Sequence, residues 1–147
     1  MKNILVIGAT GQIGSELTME LRKRYGNTHV VAGYIHGAEP KGELKESGPS
    51  AVVDVTDQDM IASVVREYNI DTIYNLAALL SVVAESKPKL AWKIGIDGLW
   101  NVLKWLAKTN VPYSLRVRSV RLVKALRMCR HRRTLFSVRV PCMVSAR

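Results

Sequence analysis

The sequence predicts an α/β fold: a doubly wound parallel sheet, present as its amino-terminal half and followed by a basic, irregular carboxy-terminal tail. Short apolar runs alternate with segments whose apolar residues recur at helical spacing, as in a parallel sheet covered by helices. Charge divides the chain as well, since residues 1–103 carry a net −2 and residues 104–147 carry +12 without a single acid. We therefore expect a folded half-domain over 1–103 and a poorly ordered basic tail over 104–147.

The first strand is predicted within residues 2–8, KNILVIG, an apolar run closed by glycine. Ile13, Leu17 and Leu21 follow at intervals of four and predict one apolar helix face. The turn between them, GATGQIG over residues 8–14, lets backbone approach a pyrophosphate at a helix N-terminus. A tight glycine turn without a ligand is the alternative, but the strand–turn–helix context favours dinucleotide binding.

Further strands are predicted at residues 29–34, 51–54 and 72–76. Thr56 and Asp59 form a capping-box arrangement that predicts the start of the helix after the third strand. A long helix is expected to begin near Ser86 or Pro88. Its predicted apolar side comprises Leu90, Ile94, Leu99, Val102 and Leu103. In such a sheet the ligand lies at the carboxyl ends of the strands.

Small and acidic residues stand at those strand ends. Asp54 ends the third strand, where its carboxylate can accept a hydrogen bond from an adenine amino group or can be an ordinary solvated loop acid. Ala77 and Ala78 follow the fourth strand and are small enough to let a cofactor lie against it, although they can also serve only to pack a helix.

Composition excludes several classes of protein. No apolar run approaches the roughly 18 residues that a membrane span requires, and residues 4–7 are too short for a secretory segment. The two cysteines, Cys129 and Cys142, cannot form a metal-ligand cluster. We therefore expect one cytoplasmic domain with no metal and no membrane partner.

Residues 1–103 resemble the extended short-chain dehydrogenase/reductase family, also called the NAD-dependent epimerase/dehydratase family, which has a Rossmann-like fold. The motifs are GATGQIG (8–14), VVDVTD (52–57) and NLAA (75–78). Residues 77–94 look most like NAD-dependent L-threonine 3-dehydrogenases, and ALLS (78–81) with Glu85 is the more specific part of that likeness. Sugar-nucleotide epimerases and dehydratases share the glycine turn and the alanine pair, and remain the alternative.

The resemblance implies NAD as cofactor, L-threonine as substrate and a homodimer. The pyrophosphate would be bound by the glycine turn, the adenine by the third-strand loop and the middle of the cofactor by the fourth-strand end, with Ser81 approaching substrate. These cofactor-binding residues are Gly8, Thr10, Gly11, Gln12, Ile13, Gly14, Asp54, Val55, Leu76, Ala77 and Ala78. The chain departs from the family at the second strand, where Gly33 and Tyr34 replace an acid that holds the adenosine ribose, and at Gly95, which replaces an asparagine.

The family removes the substrate hydroxyl proton with a tyrosine whose pKa is lowered by a lysine four positions later. No Tyr-x-x-x-Lys occurs in this sequence, so we assign no catalytic residue and expect the chain to be inactive. A non-catalytic NAD-binding module is a further alternative.

The loss of one base from a glutamate codon after Leu103 would shift the reading frame and account for the tail. In that frame the codons of residues 104–108 permit E-V-A-R-E, and those of residues 136–147 permit Q-R-P-R-T-M-Y-G-V-S-K, which contains the missing tyrosine and lysine. A nucleic-acid-binding tail is the least favoured interpretation, because Phe136 is the lone aromatic near the arginine cluster and no specific nucleic-acid partner is expected.

The same tail predicts a defective sheet. Arginines at 116, 118 and 121 fall in the fifth-strand region, and a strand buried on both faces cannot hold them unpaired. We therefore expect an unpaired or poorly paired outer edge on the fourth strand, and a mobile tail beyond about Thr109.

Overall fold

The computed structural model describes residues 3–108, 114–117 and 137–138. The strands are β1 (Ile4–Ile7), β2 (Val30–Tyr34), β3 (Ser50–Val52), β4 (Thr72–Asn75), β5 (Ser114–Val117) and β6 (Ser137–Val138). The helices are α1 (Gln12–Tyr25), α2 (Glu43–Glu46), α3 (Gln58–Glu67), α4 (Ser81–Ser86), α5 (Pro88–Trp92) and α6 (Gly98–Lys108). A 3₁₀ turn (Asn27–His29) precedes β2, and a π-helical turn (Lys93–Asp97) joins α5 to α6.

The sheet has the order β3-β2-β1-β4-β5-β6. Strands β1 to β5 run parallel, and β6 pairs antiparallel with β5. The chain moves outward from β1 through β2 to β3, then returns to pair β4 on the other side of β1. The four strands predicted from the sequence and the doubly wound, Rossmann-like arrangement are confirmed.

Alternate residues of β1 supply the two halves of the core. Leu5 and Ile7 lie in a cluster with residues of α3 and α6, whereas Ile4 and Val6 lie in a cluster with residues of α1 and α2. All four side chains are at most 1% exposed. A central parallel strand covered by helices on both faces must be apolar throughout, which is why β1 reads as an unbroken apolar run.

The buried face of α1 differs from the predicted one. Ile13 is 46% exposed, while Gly14, Thr18 and Arg22 are buried beside the expected Leu21. The helix approaches the sheet most closely at Gly14, so its buried side is centred there. Counting apolar residues at intervals of four therefore misplaced Ile13.

Arg22 is buried and joins α1 to the far end of the sheet. Its guanidinium donates to the carbonyl oxygens of Val30 (3.3 Å), Leu44 (2.6 Å) and Pro49 (2.7 Å), and to the hydroxyl of Ser47 (2.7 Å). Burial lowers the pKa of Arg22 because desolvation penalises its charged form. Neutral oxygens alone solvate this cation among the described residues, so it holds α2 and the start of β2 in place.

The helix α3 begins differently from the prediction. Its N-cap is Asp57, whose Oδ1 accepts from the backbone N–H groups of Asp59 (2.9 Å) and Met60 (3.1 Å). The predicted cap, Thr56, is wrong, because its hydroxyl instead donates to Asp54 Oδ1 at 2.8 Å. Both residues are good capping types, and the loop conformation decided between them.

Helix α5, the π-helical turn and α6 form one continuous helical stretch over residues 88–108, which begins at Pro88 as predicted. Its apolar side packs on the core through Ile94, Leu99, Val102 and Leu103, whereas Leu90 is 41% exposed and does not belong to that side. The helix continues past Leu103, where the charge composition of the chain changes. Among the residues described, no helix combines the length and the apolar character needed to cross a membrane.

The prediction of an unpaired edge on β4 is wrong. Strand β5 pairs with β4 in parallel, from Thr72 opposite Ser114 to Asn75 opposite Val117. Backbone groups make these ladder bonds, so the pairing does not require an apolar sequence. The described strand contains Arg116 alone of the three arginines, and positions 118 and 121 lie outside the described residues, as does most of the segment predicted to be mobile.

Candidate functional site

The glycine turn after β1 lies where the carboxyl ends of β1, β2 and β4 meet. The N–H groups of Gly8 and Ala9 both donate to the carbonyl of Gly33 at 3.0 Å, which attaches the turn to the end of β2. The N–H of Leu76 donates to the carbonyl of Ile7 at 3.0 Å, which attaches β4 on the other side. The turn is therefore held from both flanks at the crevice where doubly wound sheets bind ligands.

Three glycines of the turn have three different surroundings. Gly8 has φ +82°, and a Cβ there would lie 3.2 Å from the backbone nitrogen of Ala77. A Cβ on Gly14 would overlap the carbonyl oxygen of Gly8, so this glycine permits α1 to contact β1. Gly11 is exposed, and its Cβ would meet only the Gly8 oxygen, at 3.4 Å. A side chain at Gly11 would project into open space, so glycine there keeps a surface clear.

The first turn of α1 faces the same space. Gly11 is the N-cap, and no described side chain caps the helix, whose first turn also contains no acid. Gln12 and Ile13 are exposed, and Thr10 is half-buried. Uncapped N–H groups at the positive end of a helix dipole attract an anion, and a 14-residue helix presents that end beside open space.

The loop after β3 has an oriented carboxylate. Asp54 Oδ1 accepts from both the N–H and the hydroxyl of Thr56, each at 2.8 Å. The N–H of Asp54 lies 3.2 Å from the sulfur of Met60. These contacts direct one oxygen of the carboxylate, two residues beyond the end of β3, toward Thr56.

Two residues of α6 support this loop, and neither was anticipated from the sequence. Asn101 Nδ2 donates to the carbonyls of Val55 (3.3 Å) and Thr56 (3.0 Å). A Cβ on Gly98 would lie 2.8 Å from a methyl of Val55, so glycine allows the helix to approach. Both are unfavourable residues in a helix interior, and that was the available signal.

The last residue of β4, Asn75, has a buried amide side chain that bonds to the segment after the strand. Asn75 is 5% exposed, and its Oδ1 accepts from the N–H of Ala77 at 3.2 Å. Ala77 is half-buried and Ala78 is exposed, so small side chains border the crevice beside Gly8. Ser81 begins α4 a few residues later. The predicted residues at 8–14, 54–55 and 76–78 thus all occur at the carboxyl edge of the sheet.

Within the described ranges no three His, Cys, Asp or Glu side chains lie close enough together to hold a metal ion.

Comparison with known proteins identifies relatives of this arrangement. A model of the NAD dependent epimerase/dehydratase family matches residues 4–136. An uncharacterized epimerase/dehydratase of Staphylococcus epidermidis is 42% identical over 113 residues, which are 77% of this chain and 35% of that protein. The chain therefore spans about a third of the length of the curated relatives that it matches.

Solved structures of two related enzymes also align with this chain. The L-threonine dehydrogenase of Clostridium difficile aligns with a TM-score of 0.68 and 42% identity, covering 78% of this chain and 36% of that one. The UDP-glucose 4-epimerase of Thermus thermophilus, solved as a complex with NAD, aligns with a TM-score of 0.65 and 25% identity, covering 76% and 35%.

Proposed function

We propose, because this chain belongs to the NAD-dependent epimerase/dehydratase family, that its amino-terminal part binds NAD in the crevice around Gly8. The observation that carries the proposal is the open space at Gly11 beside the uncapped N-terminus of α1. A pyrophosphate needs both a close backbone approach and unpaired N–H donors, and this turn offers the two together.

In this proposal, a separate segment of the described residues would contact each part of the cofactor. The turn from Gly8 to Gly14 would hold the pyrophosphate, and the loop of Asp54 and Val55 would hold the adenine. The segment from Leu76 to Ala78 would line the middle of the molecule. Bound NAD would supply a hydride acceptor, while the small residues beside β4 would leave room for a substrate at its nicotinamide end.

The finer proposal is that the chain is the NAD-binding portion of an L-threonine 3-dehydrogenase-like oxidoreductase. It is supported by the 42% identity to the C. difficile enzyme, against 25% to the T. thermophilus epimerase, and by the residues at 78–81 and Glu85. In that assignment Ser81 would approach the threonine. A sugar-nucleotide epimerase or dehydratase is the second candidate, because the UDP-glucose 4-epimerase aligns with this chain with a TM-score of 0.65.

Oxidation of a hydroxyl requires a base to take its proton. No tyrosine of this sequence is followed by a lysine four positions later, so we propose that the 147-residue chain binds NAD without turning over threonine. NADH absorbance during incubation with threonine and NAD tests this. We expect no rise above a control without protein, and a threonine-dependent rate would contradict the proposal.

A binding titration tests the site itself. Wild-type protein titrated calorimetrically with NAD is expected to show weak binding, and Gly11→Trp is expected to raise the Kd by more than about tenfold because the ring would occupy the pyrophosphate space. The matched control is Ser63→Trp, which adds the same ring at an exposed position of α3. Equal affinity in the wild type and Gly11→Trp would show that the site is wrongly assigned.

We further propose that residues 104–147 arise from a shifted reading frame and are separate in origin from residues 1–103. The support is the Tyr-x-x-x-Lys pattern that the shifted codons of residues 136–147 permit. Determining the nucleotide sequence around codon 103 tests it. One additional base there would restore the family's reading, whereas codons that confirm the present frame on independent DNA would refute the shift.

A further inference from the structure

We propose that the adenosine end of this site does not discriminate against a 2′-phosphate, so that NADP binds about as well as NAD. This inference rests on the proposed dinucleotide site and concerns the residues at the carboxyl end of β2. Tyr34 ends that strand, and Ile35 and His36 follow it as exposed residues.

The position of Tyr34 is set by backbone hydrogen bonds. The carbonyl of Gly33 accepts from both Gly8 and Ala9, so the next residue of β2 stands directly beside the glycine turn. The carbonyl of Tyr34 accepts from the N–H of Val53 at 2.7 Å, which joins it on the other side to the residue that follows β3. In doubly wound folds that bind dinucleotides, the residue at this place meets the adenosine ribose.

The turn that follows is equally well defined. The N–H of Ala38 donates to the carbonyl of Ile35 at 3.0 Å, and Gly37 has φ +83°, as the third position of a tight turn often requires. His36 occupies the exposed tip of that turn. The side chains at 34 and 36 are therefore placed by a fixed strand end and a closed turn.

Charge around this end of the site is what decides between the two cofactors. Selectivity for NAD comes from a carboxylate that accepts from the ribose hydroxyls and repels a 2′-phosphate. The glycine turn, the first turn of α1, β2 and the turn after β2 contain no acid, and the two acids that directly follow these segments, Glu16 and Glu39, are exposed. Asp54, in the loop after β3, directs Oδ1 toward Thr56. Strand β2 and the turn after it thus supply neither the carboxylate that favours NAD nor a negative charge beside Tyr34 that would exclude NADP.

Calorimetric titration of the full chain with NAD and with NADP at one ionic strength tests the inference. The two Kd values are expected to agree within about fivefold, and Tyr34→Asp is expected to raise the Kd for NADP at least about tenfold relative to that for NAD. Tyr34→Phe is the matched control, since it keeps the ring without adding charge, and its ratio of Kd values should equal that of the wild type.

A second acidic variant is needed in case Tyr34→Asp, which lies within β2, fails to fold. His36→Asp places a carboxylate on the exposed turn, outside the sheet, and is expected to shift the ratio in the same direction. Wild-type protein that binds NAD but binds NADP more than about fivefold more weakly would overturn this inference and leave the proposed NAD site intact. Failure of both nucleotides to bind would overturn the two proposals together. A changed ratio in Tyr34→Phe would mean that the hydroxyl, not missing charge, sets the preference.

Discussion

Gly14 contacts Gly8 so closely that a Cβ on Gly14 would overlap the carbonyl oxygen of Gly8. The neighbouring atoms are backbone and cannot move aside as a side chain would. The contact explains why the helix that follows β1 can direct its N-terminus at the crevice: it starts immediately against the strand. Glycine at this position is therefore a condition of the fold as well as of the site.

Replacement of Gly14 by alanine is expected to lower the free energy of unfolding by about 1–3 kcal/mol, because α1 must shift away from β1. Urea denaturation followed by circular dichroism measures this. Gly11→Ala is the matched control within the same turn, since its Cβ makes only an ordinary 3.4 Å contact, and we expect it to cost less than about 1 kcal/mol. Equal losses in the two variants would show that α1 does not approach β1 as closely as described.

The buried Arg22 supports a second prediction. Arg22→Met keeps an unbranched apolar chain but leaves the carbonyls of Val30, Leu44 and Pro49 without this donor, so we expect a loss of at least about 3 kcal/mol. Arg24→Met is the control on the same helix, because Arg24 is exposed and pairs with Glu20 at the surface. That variant should unfold at nearly the wild-type urea concentration. If the two arginines prove equally dispensable, the guanidinium of Arg22 is solvated by water instead.

Arg22 also shows where prediction from the sequence stops. The strands and the glycine turn could be predicted, because apolar runs and glycine spacing are local properties of the chain. The contribution of Arg22 could not, since its acceptors come from β2, α2 and the segment before β3, and only the folded chain brings them together. In the site, Asp54 was foreseeable from its place after a strand, whereas Asn101, 46 residues away from Val55, was not.

Substitutions at Asp57 and at Thr56 are expected to affect different properties, the first the stability of the fold and the second the affinity for NAD. Asp57→Ala removes the N-cap of α3 and should cost about 1 kcal/mol, with NAD affinity unchanged. Thr56→Val removes the hydroxyl that orients the Asp54 carboxylate and should weaken NAD binding by about tenfold, with a smaller loss of stability. Denaturation and calorimetric titration of both variants measure the two effects. A larger loss of stability in Thr56→Val than in Asp57→Ala would show that Thr56, not Asp57, caps α3.

The pairing of β4 with β5 leads to a prediction about hydrogen exchange. Thr72 to Asn75 run parallel to Ser114 to Val117, and β6 pairs with the outer side of β5 through Leu115 and Arg116. Backbone amides within a paired ladder exchange only when the ladder opens, whatever the charge of the side chains. We therefore expect amides at 114–117 to exchange more slowly than those of the exposed turn at 35–38, in exchange monitored by mass spectrometry on the full chain.

The charge pattern of the tail predicts the reverse, with fast exchange from Asn110 onward and protection confined to residues before Ala78 and the helices packed on them. Free exchange at 114–117, together with protection at Ile4–Ile7, would show that the basic sequence prevents the fifth strand from pairing.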